Sequence, residues 1–336
     1  MSTETTVAAP KASQIADEVL RHARKVVQPE LEAALRRLSP DLHVALEGHL
    51  AAGGKFVRAG LVLLSATACG GDEHAGLDGA VAIELVHNFS LIHDDVIDGD
   101  LERRHRPTLW SEYGINHAII SGDALATVAF QVLLEVPTPE RAGAASLLAD
   151  ATQAMIAGQA QDMALEQRAT ATLDECIEMV SGKTAALLRC AACLGAVLCG
   201  APDSTISALW EFGHHLGMAF QAVDDVLGIW GEQAVTGKPV GSDLRRRKKT
   251  LPVCIALSHG VDLGTAIGDP SHVDVSDEEV EAITSRLDAC GARKATMDLG
   301  ERHMADALAA LDRVPLTGQA KEQLTAVANF VVDRDR

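Results

Sequence analysis

The segment IELVHNFSLIHDDVID, residues 83–98, carries an apolar helical pattern that ends in an acidic cluster. Asp94 and Asp98 are four residues apart, which places them about 40° apart around a helix axis, on one face. Carboxylates at the end of a buried helix need compensation by a cation. Mg²⁺ prefers oxygen ligands and bridges carboxylates to phosphate oxygens. The segment therefore predicts a long helix over 77–97 that runs into a magnesium site.

A basic loop follows this cluster. Arg103, Arg104 and Arg106 lie within a few residues of its last aspartate. Aspartates hold a metal, and arginines bind phosphate oxygens bidentately, so acid followed by base favours a metal–diphosphate site. His87 lies seven residues before Asp94, on the same helical face. A lone helical histidine is more often a core residue, but this one faces the predicted metal site.

The same order recurs after a second apolar helix, which contains FQAVDDVLG at residues 220–228. Asp224 and Asp225 stand near its end, and Lys238 and the run RRRKK at 245–249 follow. A charge run alone is typical of a solvated surface. The repetition of acid followed by base favours a second phosphate site instead.

A third basic element is GGKFVR, residues 53–58. Its glycines leave room for the backbone, and Lys55 and Arg58 lie on adjacent turns of the helix that follows. The motif is weak when taken alone. It adds a third basic element to those that follow the two acidic clusters.

The rest of the chain predicts an all-α fold. Alanine and leucine dominate while aromatic residues make up only 3%, a mixture that favours helices over sheets. We expect a flexible tail over 1–12 and one domain over 13–336. The predicted helices cover residues 13–38, 55–68, 77–97, 115–134, 139–166, 173–199, 204–230, 250–258, 277–289, 292–313 and 317–332. The stretches 231–249 and 259–276 are looser.

Composition limits the function. A formal net charge of −18 argues against nucleic-acid binding, which needs a basic surface. Seven cysteines without a signal peptide predict reduced thiols and a cytoplasmic protein. Cys190 and Cys193 form a CxxC that we interpret as core packing. We expect no transmembrane segment, because the nearest uninterrupted apolar stretch, Leu187–Leu198, is short of the roughly 20 residues needed.

Together these residues resemble the trans-isoprenyl diphosphate synthases, the polyprenyl synthetase family. The resemblance runs from about Gly53 to Pro252 and comprises five ordered motifs, which makes it specific. They are GGKFVR, the His87–Asp98 helix, RRHRP at 103–107, GKT at 182–184, and FQAVDD followed by GKPVGSDLRRRKKTLP at 237–252. The resemblance implies an orthogonal bundle of long helices around a central apolar cavity, and a homodimer.

It also implies roles for individual residues. The implied ligands of three Mg²⁺ ions are Asp94, Asp95, Asp98, Asp224 and Asp225. The implied contacts to the allylic diphosphate are Arg103, Lys183, Gln221, Lys238 and Lys248. The implied cradle for isopentenyl diphosphate consists of Lys55, Arg58, His87 and Arg104. Lys183 and Thr184 are implied to interrupt their helix, so that a main-chain carbonyl and the Thr184 hydroxyl, with Gln221, face a carbocation.

The implied activity is head-to-tail condensation of isopentenyl diphosphate with an allylic diphosphate. In this family the residues just before the first cluster set the cavity floor. Ser90 is small and Phe89 points partly elsewhere, which predicts a short product, geranylgeranyl diphosphate before farnesyl diphosphate. A non-catalytic partner subunit is the alternative from a different class, although such proteins usually lose an aspartate cluster. A terpene cyclase or a squalene-type synthase fits the motifs less well.

Two positions depart from the family pattern. Gly228 stands where the second cluster often has a third aspartate, which predicts weaker metal binding there. His105 and Arg106 follow the arginine pair, where glycine is usual.

Overall fold

A computed structural model describes residues 12–51, 53–232, 240–269, 271–272 and 275–333. Its helices are α1 (Ala12–Leu35), α2 (Pro40–Ala51), α3 (Val57–Ala68), α4 (Glu73–Asp98), α5 (Leu109–Tyr113), α6 (Ile115–Leu134), α7 (Pro139–Glu166), α8 (Leu173–Val180), a π turn (Ser181–Ala185), α9 (Ala186–Leu198), α10 (Asp203–Trp230), α11 (Ser242–Arg245), α12 (Leu251–Ser258), α13 (Thr265–Gly268), α14 (Asp277–Ala289), α15 (Ala292–Asp312) and α16 (Gly318–Val332). The all-α prediction is confirmed.

The helices begin and end where local chemistry dictates. Asp72 caps α4 by accepting a hydrogen bond from the backbone N–H of His74 at 3.0 Å, and Gly99 ends the helix in the left-handed region. Thr172 and Glu175 form a reciprocal capping box at the start of α8. The boundaries of α6, α7 and α14 agree with the prediction, whereas α4 begins four residues earlier than predicted.

The core forms around three helices, α4, α9 and α10. Helix α4 packs against α3, α6 and α9, while α10 packs against α9 and α15, and α7 packs against α9. Because α4 and α10 carry the two acidic clusters near their C-terminal ends, this packing determines where the clusters lie.

The predicted single helix over 173–199 is interrupted. A π turn at Ser181–Ala185 separates α8 from α9, which confirms the interruption implied for Lys183 and Thr184. Helix α7 approaches this turn so closely that a Cβ on Gly158 would lie 2.7 Å from the carbonyl carbon of Gly182. Single π turns inside α-helices are frequent at functional sites.

A small β-hairpin follows α4. Glu102–Arg103 pairs antiparallel with Arg106–Pro107. The two loop residues, Arg104 and His105, both have positive φ, 54° and 61°. Such a turn favours glycine or asparagine, so the departure at His105 places a larger side chain in a strained loop.

Among the residues that the structure describes, three helical stretches are long and apolar enough to cross a membrane by length and composition alone: Glu73–Asp98, Ile115–Leu134 and Leu173–Leu198. The apolar stretch Leu187–Leu198 is the last part of the third of these. In the first and third, more than half of the most apolar window is buried inside the protein. Packing against other helices accounts for their composition, and the absence of a transmembrane segment stays a prediction.

Two parts of the prediction lie outside the described residues. The predicted tail, 1–12, is described only at Ala12, which begins α1. Lys238, a predicted contact to the allylic diphosphate, belongs to the undescribed stretch between 232 and 240.

Candidate active site

The first acidic cluster lies at the C-terminal end of α4. Burial raises the pKa of Asp94, Lys183 opposes this shift, and the neighbouring Asp98 adds to it. Asp95 points into the protein, where its Oδ1 accepts a hydrogen bond from Nε of Arg103 at 2.7 Å. Its buried Oδ2 has no hydrogen-bond partner among the described residues. Crowded, partly desolvated carboxylates of this kind fit a divalent cation.

The second cluster lies two turns before the end of α10. Asp225 is buried and accepts hydrogen bonds from the backbone N–H of Leu251 at 2.8 Å and from Nε2 of Gln221 at 2.7 Å. Burial raises its pKa to about 7. Asp224 is exposed at the same turn and lines the neighbouring cavity. The two aspartates therefore differ: Asp224 faces the cavity and Asp225 joins α10 to α12.

Gly228, one turn beyond Asp224, is in contact with a carboxylate from elsewhere in the chain. A Cβ at this position would lie only 2.6 Å from Cγ of Asp243 and would overlap one of its oxygens. Both residues line the same cavity as Asp224. Asp243 thus brings a carboxylate to the position that the missing third aspartate leaves open.

The loop after α11 reaches the first acidic cluster. Nη1 of Arg246 lies 3.1 Å from Oδ2 of Asp98, and its Nη2 pairs with Asp100. Nζ of Lys248 lies 3.6 Å from the same oxygen of Asp98. Asp98, Asp162, Asp243 and Glu166 raise the pKa of Lys248 although burial opposes them. The basic run is therefore folded over the first acidic cluster.

Lys249 differs from its neighbours in this run. Its side chain is fully buried, and its Nζ donates to the carbonyls of Arg247 at 3.4 Å and Ile267 at 3.3 Å. Burial, followed by the charge of Arg247, lowers its pKa to about 8. The alternative of a solvated charge run does not hold for this residue.

A cavity of about 1030 Å³ lies beside the clusters. Its basic lining residues are Arg24, Lys55, Arg58, Arg103, Arg104 and Arg106. Nη1 of Arg58 donates to Nε2 of His87 at 3.2 Å, so this nitrogen of the imidazole is the acceptor. Burial, and then Arg58, Arg104 and Arg103, lower the pKa of His87 well below its usual value. A neutral histidine within a cluster of cations fits an anionic ligand.

Lys55 lies at the rim of this cavity. Its Nζ lies 4.9 Å from the ring centroid of Phe330, in α16, a cation–π distance. The C-terminal helix therefore reaches the predicted cradle.

The π turn presents two of the predicted catalytic residues. Lys183 forms an ion pair with Asp162, a buried residue of α7. The hydroxyl of Thr184 donates to Oε1 of Gln221 at 2.6 Å, and Gln221 in turn donates to Asp225. A continuous chain of hydrogen bonds therefore runs from the π turn through α10 to the start of α12.

The two predicted chain-length residues lie on α4. Phe89 is buried and packs edge-on against His93, with ring centroids 4.8 Å apart. Ser90 is partly exposed, and its hydroxyl donates to the carbonyl of His87 at 2.7 Å. Among the described residues that line the 1030 Å³ cavity, neither Phe89 nor Ser90 occurs. This cavity therefore corresponds to the predicted cradle for isopentenyl diphosphate and not to the space for the growing chain.

Several site residues escaped the sequence analysis. Asp243 and Arg246 stand inside the quoted motif GKPVGSDLRRRKKTLP, which was the signal that could have found them. Asp162 lies on a helix with no distinguishing pattern. His49, whose pKa burial lowers to about 4 with further lowering by Arg103 and Arg104, comes from α2, and only tertiary structure brings it to the cavity.

Comparison with known proteins agrees with this geometry. The family model Polyprenyl synthetase matches residues 40–282. The chain is 40% identical to (2E,6E)-farnesyl diphosphate synthase of Mycobacterium tuberculosis over 94% of this chain and 92% of the relative. It is 41% identical to geranylgeranyl diphosphate synthase of the same organism, over 87% and 88%. A crystal structure of polyprenyl synthetase from Streptomyces coelicolor A3(2) superposes with a TM-score of 0.89 at 43% identity, covering 94% of this chain and 99% of that one.

The family model matches most of the chain, and both relatives are more than 30% identical to it over most of its length. The two comparisons point to the same family. The chain therefore belongs to the polyprenyl synthetase family, and it is a short-chain trans-prenyltransferase.

Proposed function

We propose that this enzyme condenses isopentenyl diphosphate with an allylic diphosphate to form geranylgeranyl diphosphate. One observation carries the proposal: Arg246 and Lys248, from the basic run that follows the second cluster, lie against Asp98 of the first cluster, while Asp224 lines a cavity that also carries six Arg and Lys side chains. An acidic arm for metal and a basic cradle for a second diphosphate are what the reaction requires.

The metal ligands in this proposal are Asp94, Asp98 and Asp224, holding three Mg²⁺ ions. The family uses Mg²⁺ for diphosphate binding, and the desolvated carboxylate of Asp94 supports the assignment here. When bound, Mg²⁺ stabilises the charge that develops on the leaving diphosphate. Asp95 and Asp225, also predicted as ligands, are engaged with Arg103 and with Gln221 and Leu251. We assign them to positioning.

The basic residues divide between the two substrates. Arg103, Lys183, Lys238 and Lys248 hold the allylic diphosphate, and Gln221 lies among them. Lys55, Arg58, His87 and Arg104 hold isopentenyl diphosphate. Arg58 supports this division, because its hydrogen bond to His87 fixes the direction of its guanidinium toward the cavity.

The π turn stabilises the carbocation. A backbone carbonyl freed by the wider turn and the hydroxyl oxygen of Thr184 supply negative partial charge next to the allylic carbon. Gln221 orients that hydroxyl, because its Oε1 accepts a hydrogen bond from Oγ1 of Thr184 at 2.6 Å. Apolar walls exclude water, which would quench the cation, and the final proton leaves with the released diphosphate.

The product length rests on Ser90 and Phe89. A small residue at position 90 leaves room for a chain of twenty carbons. The relatives named above include both a farnesyl and a geranylgeranyl diphosphate synthase. Farnesyl diphosphate is therefore the second candidate. Product analysis with isopentenyl diphosphate and each allylic primer decides between them. Ser90→Phe should shorten the product, and a main product beyond twenty-five carbons contradicts the assignment.

The remaining alternative is a non-catalytic partner subunit. Turnover of labelled isopentenyl diphosphate with and without Mg²⁺ separates it from an enzyme. We expect Asp94→Ala to abolish turnover and to leave the circular dichroism spectrum unchanged. A wild-type protein that folds but shows no Mg²⁺-dependent turnover would support the partner subunit.

We further propose one domain over 13–336, a cytoplasmic location and a homodimer. The dimer is supported by an apolar face on α6, where Ile115, Ile119 and Ile120 are 51%, 42% and 55% exposed. Ile156 on α7 is 52% exposed. Isoleucines grouped in this way mark a protein interface. Light scattering of wild-type protein and of Ile119→Glu tests the assignment.

A further inference from the structure

A group of metal-binding side chains lies between α10 and α15, away from the aspartate clusters. His215 comes from α10, and His303 and Asp306 come from α15. Asp224 lies nine positions after His215 on α10, about 14 Å along the helix axis. The group has no part in the reaction described above.

The geometry brings three donor groups together. Nδ1 of His215 and Nδ1 of His303 face each other at 2.8 Å. Asp306 is one turn after His303, on the same side of α15, and one ligand atom from each of the three residues lies within 4.8 Å of the others. Asp306 is exposed, which leaves the site open to ions from solvent.

The two facing nitrogens are close to the separation that two ligands of one ion require. A hydrogen bond between two Nδ1 atoms places a proton on one of them. A divalent cation takes the place of that proton when the ring carries it on Nε2 instead, so that both Nδ1 lone pairs face the ion and no proton is lost. A tetrahedral ion with Zn–N bonds of about 2.0–2.1 Å needs nitrogens about 3.3 Å apart, so the rings must separate by about half an ångström.

A second observation concerns His214. Its ring lies edge-on to His215, with centroids 5.3 Å apart. Its Nδ1 is buried and has no hydrogen-bond partner among the residues that the structure describes. An unpaired polar atom beside the pair indicates that the group is not a closed hydrogen-bonding network.

We propose that His215, His303 and Asp306 bind a divalent transition-metal ion, such as Zn²⁺, Co²⁺ or Ni²⁺, that joins α10 to α15. Two imidazoles and a carboxylate are typical ligands of these ions, whereas Mg²⁺ prefers the all-oxygen aspartate clusters. The ion stabilises the helix pair that carries Asp224.

The test is Zn²⁺ titration by calorimetry on chelator-treated protein, in buffer that holds excess Mg²⁺ to occupy the aspartate clusters. Wild type should bind one Zn²⁺ per chain at this site, and Zn²⁺ should raise its Tm. His303→Ala and Asp306→Asn should each weaken binding by at least the roughly 10–100-fold that loss of an outer-shell partner causes. Co²⁺ in place of Zn²⁺ should give visible absorption that the same variants lose.

Two control variants keep the result interpretable. His259→Ala removes an exposed histidine elsewhere and should bind as wild type does. Asp94→Ala should also keep the Zn²⁺ site, because the proposal does not involve the first acidic cluster. Unchanged binding in His303→Ala, or loss of binding in Asp94→Ala, overturns the proposal. If His303→Ala fails to fold, the exposed Asp306→Asn variant decides.

Discussion

Gly158 is the point where α7 touches the π turn, and replacing it tests whether that turn positions the catalytic residues. A Cβ on Gly158 would lie 2.7 Å from the carbonyl carbon of Gly182 and 2.8 Å from Cα of Lys183, against 3.4–4 Å for ordinary contacts. Gly158→Ala must therefore move the turn or the helix by about 1 Å. A misplacement of that size costs about 100-fold in rate.

The effect on stability should be smaller than the effect on rate. Overpacking lowers the free energy of unfolding by about 1–3 kcal/mol, while replacing glycine by alanine inside a helix raises it by about 1 kcal/mol. We expect Gly158→Ala to lose about 2 kcal/mol at most, to keep its helical circular dichroism spectrum, and to lower kcat about 100-fold. Steady-state kinetics with labelled isopentenyl diphosphate, together with urea unfolding, measures both quantities.

Gly143 provides a matched control on the same helix. A Cβ there would make an ordinary contact of 3.7 Å with Cγ1 of Val197. Gly143→Ala should stabilise the protein by up to about 1 kcal/mol and leave kcat unchanged. If Gly158→Ala retains kcat within about twofold of wild type, the π turn does not position the reacting groups and the reasoning is refuted.

Three further predictions concern single side chains. Burial lowers the pKa of Lys249 from 10.5 to about 8. Between these two pH values the unfolded chain binds more protons than the folded protein, so the free energy of unfolding should rise with pH in this range. Lys249→Met should abolish that rise, which urea titrations at pH 8 and pH 10 measure. Arg58→Ala should raise KM for isopentenyl diphosphate about 10–100-fold with little change in kcat, since a hydrogen bond to a charged group contributes about 1.5–3 kcal/mol. A comparable loss in kcat would contradict this, because it would mean that Arg58 stabilises the transition state and not the bound substrate. Asp243→Asn should raise the Mg²⁺ concentration for half-maximal turnover about tenfold, and calorimetry of Mg²⁺ with inorganic diphosphate measures the same loss without turnover.

The bounds of α7 and α14 followed from the sequence because local signals determine where these helices start. Pro139 after Thr138 marks the start of α7, and the Ser276–Glu279 capping box marks α14. The looser stretch 259–276 still contains a short helix, Thr265–Gly268. Four residues bury too little apolar surface to leave a periodic pattern.

The site was predicted in part, for a different reason. Two of the motifs, GGKFVR and the His87–Asp98 helix, could be recognised in the sequence from the residue types and their spacing. They contribute Lys55, Arg58 and His87, which the structure brings to one cavity. Asp162, the partner of Lys183, carries no such signal, because an acidic residue on a helix is usually solvated. Its burial depends on the tertiary packing of α7 against the π turn, which a single sequence does not encode locally.

Gly228 is where sequence reasoning and structure lead to different conclusions. A missing third aspartate predicts a weaker second metal arm, since one oxygen ligand is lost. The carboxylate of Asp243, however, overlaps the space that a side chain at 228 would need. An aspartate side chain at 228 would therefore push the carboxylate of Asp243 out of its present position and would not simply add a third carboxylate to the site. The two carboxylates would also lie close together and repel each other. The number of carboxylates that can face Asp224 is then set by the available volume, so we expect Gly228→Asp to leave Mg²⁺ dependence unimproved.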